Sequence, residues 1–184
     1  MAHRQLLALL ARFGARNPQD SETARLFESF VHEHADCARR ELQIGHLTGS
    51  AWLVSADGER ILLTHHRKLN RWLQLGGHAD GDTDLAAVAL REAEEESGLI
   101  DLSVEPEIFD LDRHWIPERG HEPGHWHYDM RFVVRANGSE AFAISEESLA
   151  LAWKDIAKIA GDTEADESLR RMAKRHLGKR RDSC

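Results

Sequence analysis

Cysteine is scarce in this 184-residue chain. Cys37 and Cys184 are the whole supply, and neither sits in a Cys-x-x-Cys pair. Two thiols do not make a disulfide framework, so a reducing, cytoplasmic setting is expected. Long apolar runs are missing as well. The longest near the N-terminus, Leu6 to Ala11, is broken by Arg12. It is too short to span a bilayer and precedes no small-residue cleavage site, so neither membrane insertion nor secretion is expected. There are only four prolines, and no low-complexity linker or internal repeat interrupts the chain. Positive charge is in deficit: 24 Lys and Arg face 32 Asp and Glu, a formal net charge of −8. An acidic surface repels a phosphate backbone, which argues against general nucleic-acid binding. A small phosphorylated substrate stays open, because a bound divalent cation reverses the local field.

What remains is a globular composition, 41% apolar and 30% charged, long enough for one domain with a real core. Helices are expected over residues 3–13 and 21–41. In the second, Ala24, Phe27, Phe30 and Val31 recur at helical spacing, with Asp20 or Ser21 as cap. From Gly45 the pattern turns to strands. His46–Ser55 and Arg60–His65 flank Ala56-Asp57-Gly58-Glu59, a hairpin signal. A short extended piece at 72–76 and a helix at 83–97 follow. Strands are expected at 104–112 and 125–135, a short one at Ala141–Ile144, and closing helices at Ser148–Ile159 and Glu164–His176. This order predicts an α/β (α+β) fold, a mixed sheet sandwiched by helices. Residues 1–45 form an N-terminal helical extension on the same domain as 46–184.

The chemistry concentrates between Gly77 and Leu99. At about 100° per residue, Glu92, Glu95 and Glu96 fall within an arc of roughly 100° on the 83–97 helix. Ala86, Ala89, Leu90, Ala93 and Ser97 make a separate, mostly small stripe, and Glu94 points elsewhere. Three glutamates at this spacing repel one another. A hard divalent cation offsets that repulsion, since magnesium and manganese favour carboxylate and carbonyl oxygens. Arg91 is placed to steady Glu95, and Gly98 to end the helix in a left-handed conformation. The bland alternative is a solvated acidic face.

The spacing resembles the Nudix box, Gly-x5-Glu-x7-Arg-Glu-U-x-Glu-Glu-x-Gly-U, where U is a bulky aliphatic residue. Gly77, Arg91, Glu92, Glu95, Glu96, Gly98 and Leu99 fall on it. Two positions depart: Ala93 stands at the first U, and Thr83 replaces the early glutamate, flanked by Asp82 and Asp84 as substitutes. Trp72-Leu73-Gln74-Leu75-Gly76-Gly77 is similar to the family's Trp-x-x-Pro-Gly-Gly. Glu146 or Glu147 followed by Trp153 resembles its late Glu-to-Trp segment.

The resemblance implies a magnesium-dependent hydrolase of a diphosphate linkage in a small organic, nucleoside-type diphosphate, with manganese able to substitute. It implies Glu92, Glu95, Glu96 and the Gly77 carbonyl at the metal, Glu92 as base with Glu146 and Glu147 as alternatives, and Arg91 in orientation. A homodimer is common in the family, and the N-terminal helices offer an interface. Isopentenyl diphosphate isomerase shares the fold, and Gly77-His78 resembles its Cys-Gly-His-Pro segment, but Gly76 stands where its cysteine belongs. A non-catalytic Nudix sensor is the reading from another class. The retained glutamates argue against it.

Outside the box, Arg67, Lys68 and Arg71 form a basic patch suited to diphosphate, or an exposed turn with solvated charges. His125, His127, Asp129 and Arg131 share one face of a strand by period two. Trp126, Tyr128, Met130 and Phe132 share the other, the expected core face. The first face either lines a cleft, with Arg131 or His127 on substrate phosphate, or is a solvent-facing strand edge. His78 is a further candidate for substrate contact. His121-x3-His125-x-His127 fits no standard zinc module. Trp115, Trp126 and Tyr128 are candidates for stacking on a base or for the core.

Overall fold

The Asp57-Gly58 turn closes the first hairpin as expected. Gly58 is left-handed (φ 70°), and the Asp57 carboxylate accepts from the Glu59 amide at 2.9 Å. The computed structural model describes residues 2–67, 70–143 and 148–182. Its helices are α1 (Ala2–Arg16), α2 (Ser21–Glu33), α3 (Leu85–Ser97), α4 (Ile156–Gly161) and α5 (Glu167–Asp182). The strands are β1 (Gly45–Val54), β2 (Arg60–His66), β3 (Arg71–Leu73), β4 (Leu75–His78), β5 (Leu102–Ile116), β6 (His125–Ala136) and β7 (Ser148–Asp155). They form one sheet in the order β3-β2-β1-β6-β5, with β4 also paired to β1 and β7 to β2. No helix among the described residues is long and apolar enough to cross a membrane.

The chain groups into two compact units, divided within β1, β4, α3, β5 and β6. The first comprises Met1–Ser50, Gly76–Ala89 and Val104–Phe132. There α1 buries Leu6, Leu10 and Phe13, and α2 buries Ala24, Phe27, Phe30 and Val31, the stripes of amphipathic helices. Tyr128 of β6 stacks on Phe30 with ring centroids 3.9 Å apart and meets Phe27 edge-on at 5.2 Å. Gly49 of β1 has a packing reason. A Cβ there would lie 2.9 Å from both the Leu85 carbonyl oxygen and Val88 Cγ1, so the start of α3 touches the strand only because that carbon is missing.

The second unit comprises Ala51–Leu75, Leu90–Ser103 and Val133–Cys184. Val54 of β1 pairs with Ile61 of β2. Strand β7 lies antiparallel to β2 from Arg60↔Asp155 to His66↔Ser148. Helix α5 buries Leu169, Met172 and Ala173 and ties to the hairpin through His176 Nε2 and Arg180 Nη1, 3.0 and 2.8 Å from the Gly58 carbonyl oxygen.

Five expectations fail locally. Helix α2 ends at Glu33 rather than 41. His34 is extended (φ −126°, ψ 105°), the helical stripe ends at Val31, and the next buried residues are the adjacent Cys37 and Ala38. The Cys37 carbonyl instead accepts from Leu47 at 2.7 Å. Residues 148–155 are a strand, not the start of a helix. Leu149, Leu151 and Trp153 obey period two, and β2 pairs with this segment antiparallel along its length. The helix begins only after Asp155, whose carboxylate caps the Lys158 amide at 2.9 Å. Residues 141–143 form no strand, and Ile144 lies outside the described residues. The 72–76 piece is two strands, β3 and β4, parted at Gln74. Asp20 sits at the start of α2 but makes no side-chain cap.

Candidate active site

Helix α3 starts from carboxylates that serve the backbone. The Asp84 side chain accepts from the Ala87 amide at 3.1 Å, and Asp82 accepts from the Asp84 amide at 2.9 Å. These two residues flank Thr83 and hold the loop and the first turn, a capping role. At the other end, Gly98 is left-handed (φ 67°) and its amide reaches the Glu94 carbonyl at 2.8 Å. Ser97, fully buried, donates to the Ala93 carbonyl and accepts from Leu99.

Between these ends, Ala93 and Ser97 face inward while the glutamates stay reachable. The Glu92 side chain is 18% exposed and that of Glu95 66%. Arg91 Nη2 lies 3.3 Å from Glu92 Oε1, and its Nε lies 4.0 Å from Glu95 Oε1. The guanidinium therefore bonds Glu92 and only approaches Glu95, the reverse of the emphasis expected from the helical wheel. Glu96 is half-buried on the same turn. The donor set is carboxylate oxygen only, at three positions of one helix face, and it suits a hard dication.

In the first unit a different set of groups gathers. Strand β6 is flanked by β1 and β5 and is no edge strand, and the burial of its polar face makes that face interior. His125, Asp129 and Arg131 are 4%, 2% and 2% exposed. Arg131 Nε meets Asp129 Oδ2 at 2.7 Å, Nη1 meets Asp110 Oδ2 at 3.2 Å, and Nη2 meets Asp112 Oδ2 at 3.2 Å. Thr48 and Ser50 of β1 donate to Asp129 Oδ1 at 3.0 and 2.7 Å. Burial works against the Arg131 charge, but the three carboxylates, Asp129 foremost, more than offset it and hold its pKa above the usual value.

One step along the same face is a cluster of imidazoles. The His46 ring centroid lies 5.0 Å from that of His78, 4.9 Å from His125 and 4.8 Å from His127. His114 approaches His127 at 5.4 Å and meets Asp112 at 3.3 Å. His125 Nε2 and His127 Nε2 are 3.2 Å apart. Burial, reinforced by repulsion from His78 and His125, pushes His46 down to about 4. Burial and the other four rings push His127 down to about 2. His78 is lowered too, by burial first and then by Arg40. Arg40 grips Asp80 through two bonds of 2.6 Å, fixing the loop that follows His78. His46 is 1% exposed and neither ring nitrogen has a hydrogen-bond partner. The Leu42 carbonyl favours its protonated form without reaching hydrogen-bond geometry. Such an orphan costs about 1–3 kcal/mol.

The model of the NUDIX domain matches residues 46–175. The chain belongs to the Nudix family. Among solved structures, an Ap4A hydrolase from C. elegans, in a binary complex, superposes with a TM-score of 0.58 at 13% identity, covering 74% of this chain and 98% of its own. A MutT protein from Methanosarcina mazei Go1 gives 0.58 at 19% identity, with 76% and 97% covered. The E. coli dihydroneopterin triphosphate pyrophosphohydrolase gives 0.52 at 17%, with 69% and 91% covered. At these identities the likeness is one of fold, the mixed sheet with helices expected from the sequence. No curated protein sequence matches significantly.

The Nudix box thus occupies β4, the following loop and α3. Gly77 lies half-buried in β4, and His78 ends that strand. Arg67 is exposed on the turn after β2. Lys68, Glu146 and Glu147 lie outside the described residues. Arg71 is exposed and 3.4 Å from Asp166. Among the expected phosphate contacts, Arg131 stands apart: each guanidinium nitrogen meets an aspartate, so a phosphate would have to displace a carboxylate. The solvent-facing alternative for that strand face is excluded by its burial. Of the aromatic candidates, Tyr128 is core, while Trp115 and Trp126 meet edge-on at 5.2 Å, with Arg113 4.0 Å above the Trp126 ring. The sequence reading missed Asp110, Asp112 and His114. They alternate on β5 just as the β6 residues do, and that periodicity was the available signal. His46 had no such signal, being 79 residues from His125.

Proposed function

We propose that this Nudix protein is a hydrolase of a diphosphate linkage in a small organic, nucleoside-type diphosphate, working with magnesium or manganese. What supports it most is the Arg91-Glu92-Glu95-Glu96 face of α3, where three carboxylates share one helix face and Arg91 bonds Glu92 and approaches Glu95. Glu92, Glu95 and Glu96 would hold the cation, with the Gly77 carbonyl added by its position in the box alone. A hard dication bound there supplies charge neutralisation of diphosphate oxygens and acidification of a water.

The protein's own groups do the rest. Glu92, more shielded than Glu95, takes the proton of the attacking water, and Glu146 or Glu147 is the alternative base. Arg91 orients Glu92 through its 3.3 Å contact. Arg67 and Lys68 receive phosphate oxygens. His78 and His127, half-buried, border the polar interior, and Asp129 with Arg131 fixes the strand that carries His127. The isomerase reading loses support from Cys37. Its thiol is fully buried 3.8 Å from His3, and burial, followed by the nearby Asp36, pushes it up to about 11.

The test is phosphate release from a broad panel of nucleoside, sugar-nucleotide, dinucleoside and isoprenoid diphosphates, with and without magnesium. Cation-dependent hydrolysis of at least one class is expected, and Glu95→Gln and Glu96→Gln should abolish it in folded protein. Near-normal turnover in either variant overturns the assignment. Conversion of isopentenyl to dimethylallyl diphosphate would move the protein to the isomerases.

A further inference from the structure

The box glutamates account for one kind of cation. The imidazoles of the first unit offer that cation no ligand, and the burial of His46 without a partner is costly unless something binds it. His46 is buried with both nitrogens unpartnered. His125 Nδ1 lies 2.8 Å from the Pro123 carbonyl. A carbonyl only accepts, so that nitrogen carries the proton and Nε2 is left as a bare lone pair. This is how proteins orient an imidazole for a metal. The lone pair points toward His127 Nε2, 3.2 Å away. Two nitrogens about 2.0–2.1 Å from a tetrahedral zinc stand roughly 3.3 Å apart, so this spacing fits a shared ion. One ligand atom from each of His46, His125 and His127 lies within 4.8 Å of the others.

We propose that His46, His125 and His127 form a nitrogen-only site for a borderline first-row divalent cation, zinc being the type case. It shares no ligand with the Nudix box. Imidazoles prefer zinc, nickel, copper or iron over magnesium, and the carboxylate beside them, Glu122, lies 3.9 Å from His125 Nε2, outside the set of three. Three protein nitrogens leave a fourth position, beside which the His78 ring stands, 5.0 Å from His46 and 5.2 Å from His127. His121 is not part of the set. His46, 79 residues before His125 in the sequence, completes the set instead.

The experiment uses the full chain, stripped with a chelator, then titrated with zinc against a competing chromophoric chelator and counted by mass spectrometry. About one zinc per chain is expected, and cobalt should give the visible absorption of a tetrahedral nitrogen site. His127→Asn and His125→Asn should each weaken zinc by more than the roughly 10–100-fold that a supporting hydrogen bond is worth. The combined Glu95→Gln, Glu96→Gln variant should keep wild-type zinc affinity. Circular dichroism checks folding. If His46→Asn fails to fold, the half-buried His127 supplies the variant that decides. The proposal is overturned if stripped wild-type protein takes up no zinc at micromolar concentration, if His127→Asn binds as tightly as wild type, or if zinc is lost with the glutamates instead. Hydrolysis without zinc uptake sinks the proposal and spares the hydrolase reading. Zinc uptake without hydrolysis does the reverse.

Discussion

The acidic face of α3 and the polar face of β6 each crowd ionisable groups into a few residues, and they tolerate the crowding in opposite ways. On α3, Glu92 and Glu95 stay partly in water, 18% and 66% exposed, with one arginine between them. Water screens their repulsion, so the carboxylates stay available. On β6 the groups are interior. Arg131 and its aspartates neutralise one another, and the imidazoles keep neutral by giving up protons at unusually low pH. An exposed cluster can therefore be altered with loss of chemistry alone, while a buried one should lose structure first.

The sharpest break of that contrast comes from Glu92. Glu92→Gln should lower turnover about 10²–10⁴-fold, the usual worth of a positioned general base, with an unchanged melting temperature. The acidic limb of the pH–rate profile should vanish with it. If turnover stays near normal, the base is Glu146 or Glu147. The converse variant is Arg131→Met. It leaves Asp110 and Asp129 buried without their cation and should cost about 3–5 kcal/mol. At about 2–4 °C per kcal/mol for a chain of this size, the melting temperature should drop by roughly 10 °C, measured by thermal unfolding. A drop under about 2 °C would mean that the cluster is not the buried unit described.

The same contrast explains what could be read in advance. The α3 site lies within one helix, where spacing along the chain is spacing in space, so Arg91, Glu92, Glu95 and Glu96 were legible from a single motif. The β6 site is built across strands. His125, His127, Asp129 and Arg131 were legible as one face, but whether that face met water depended on tertiary packing, which periodicity cannot tell. His46 joins the cluster only through that pairing. The helix wrongly expected at 148–155 failed for the same reason: the partner that makes it a strand, β2, is more than eighty residues away.

Cys37 extends the contrast to a single buried acid. Its thiol pKa is about 11 in the folded chain against an ordinary 9.0. Between those values the unfolded chain sheds a proton that the folded chain keeps. Stability should therefore fall as pH rises from 9 to 11, at up to about 1.4 kcal/mol per unit, and level off above. Urea unfolding of wild type and Cys37→Ala across that range isolates the slope, since every other group titrates in both. Parallel curves would show that the thiol is not shielded as its burial implies.

The smallest effect belongs to the start of α3. Asp84→Ala removes the acceptor of the Ala87 amide and should cost about 1 kcal/mol, or roughly 2–4 °C, whereas Asp84→Asn keeps an acceptor and should cost little. Thr83→Glu restores the residue type of the box without touching either bond, so it should leave stability nearly unchanged. If Thr83→Glu stabilised the protein more than Asp84→Ala harmed it, the glutamate missing from position 83 would have had a structural role that Asp82 and Asp84 do not fill. The expected result, loss at 84 and indifference at 83, would show the two flanking aspartates holding the loop in its place. The acidic face of α3 would then have its frame from backbone capping, and its glutamates would be left for chemistry.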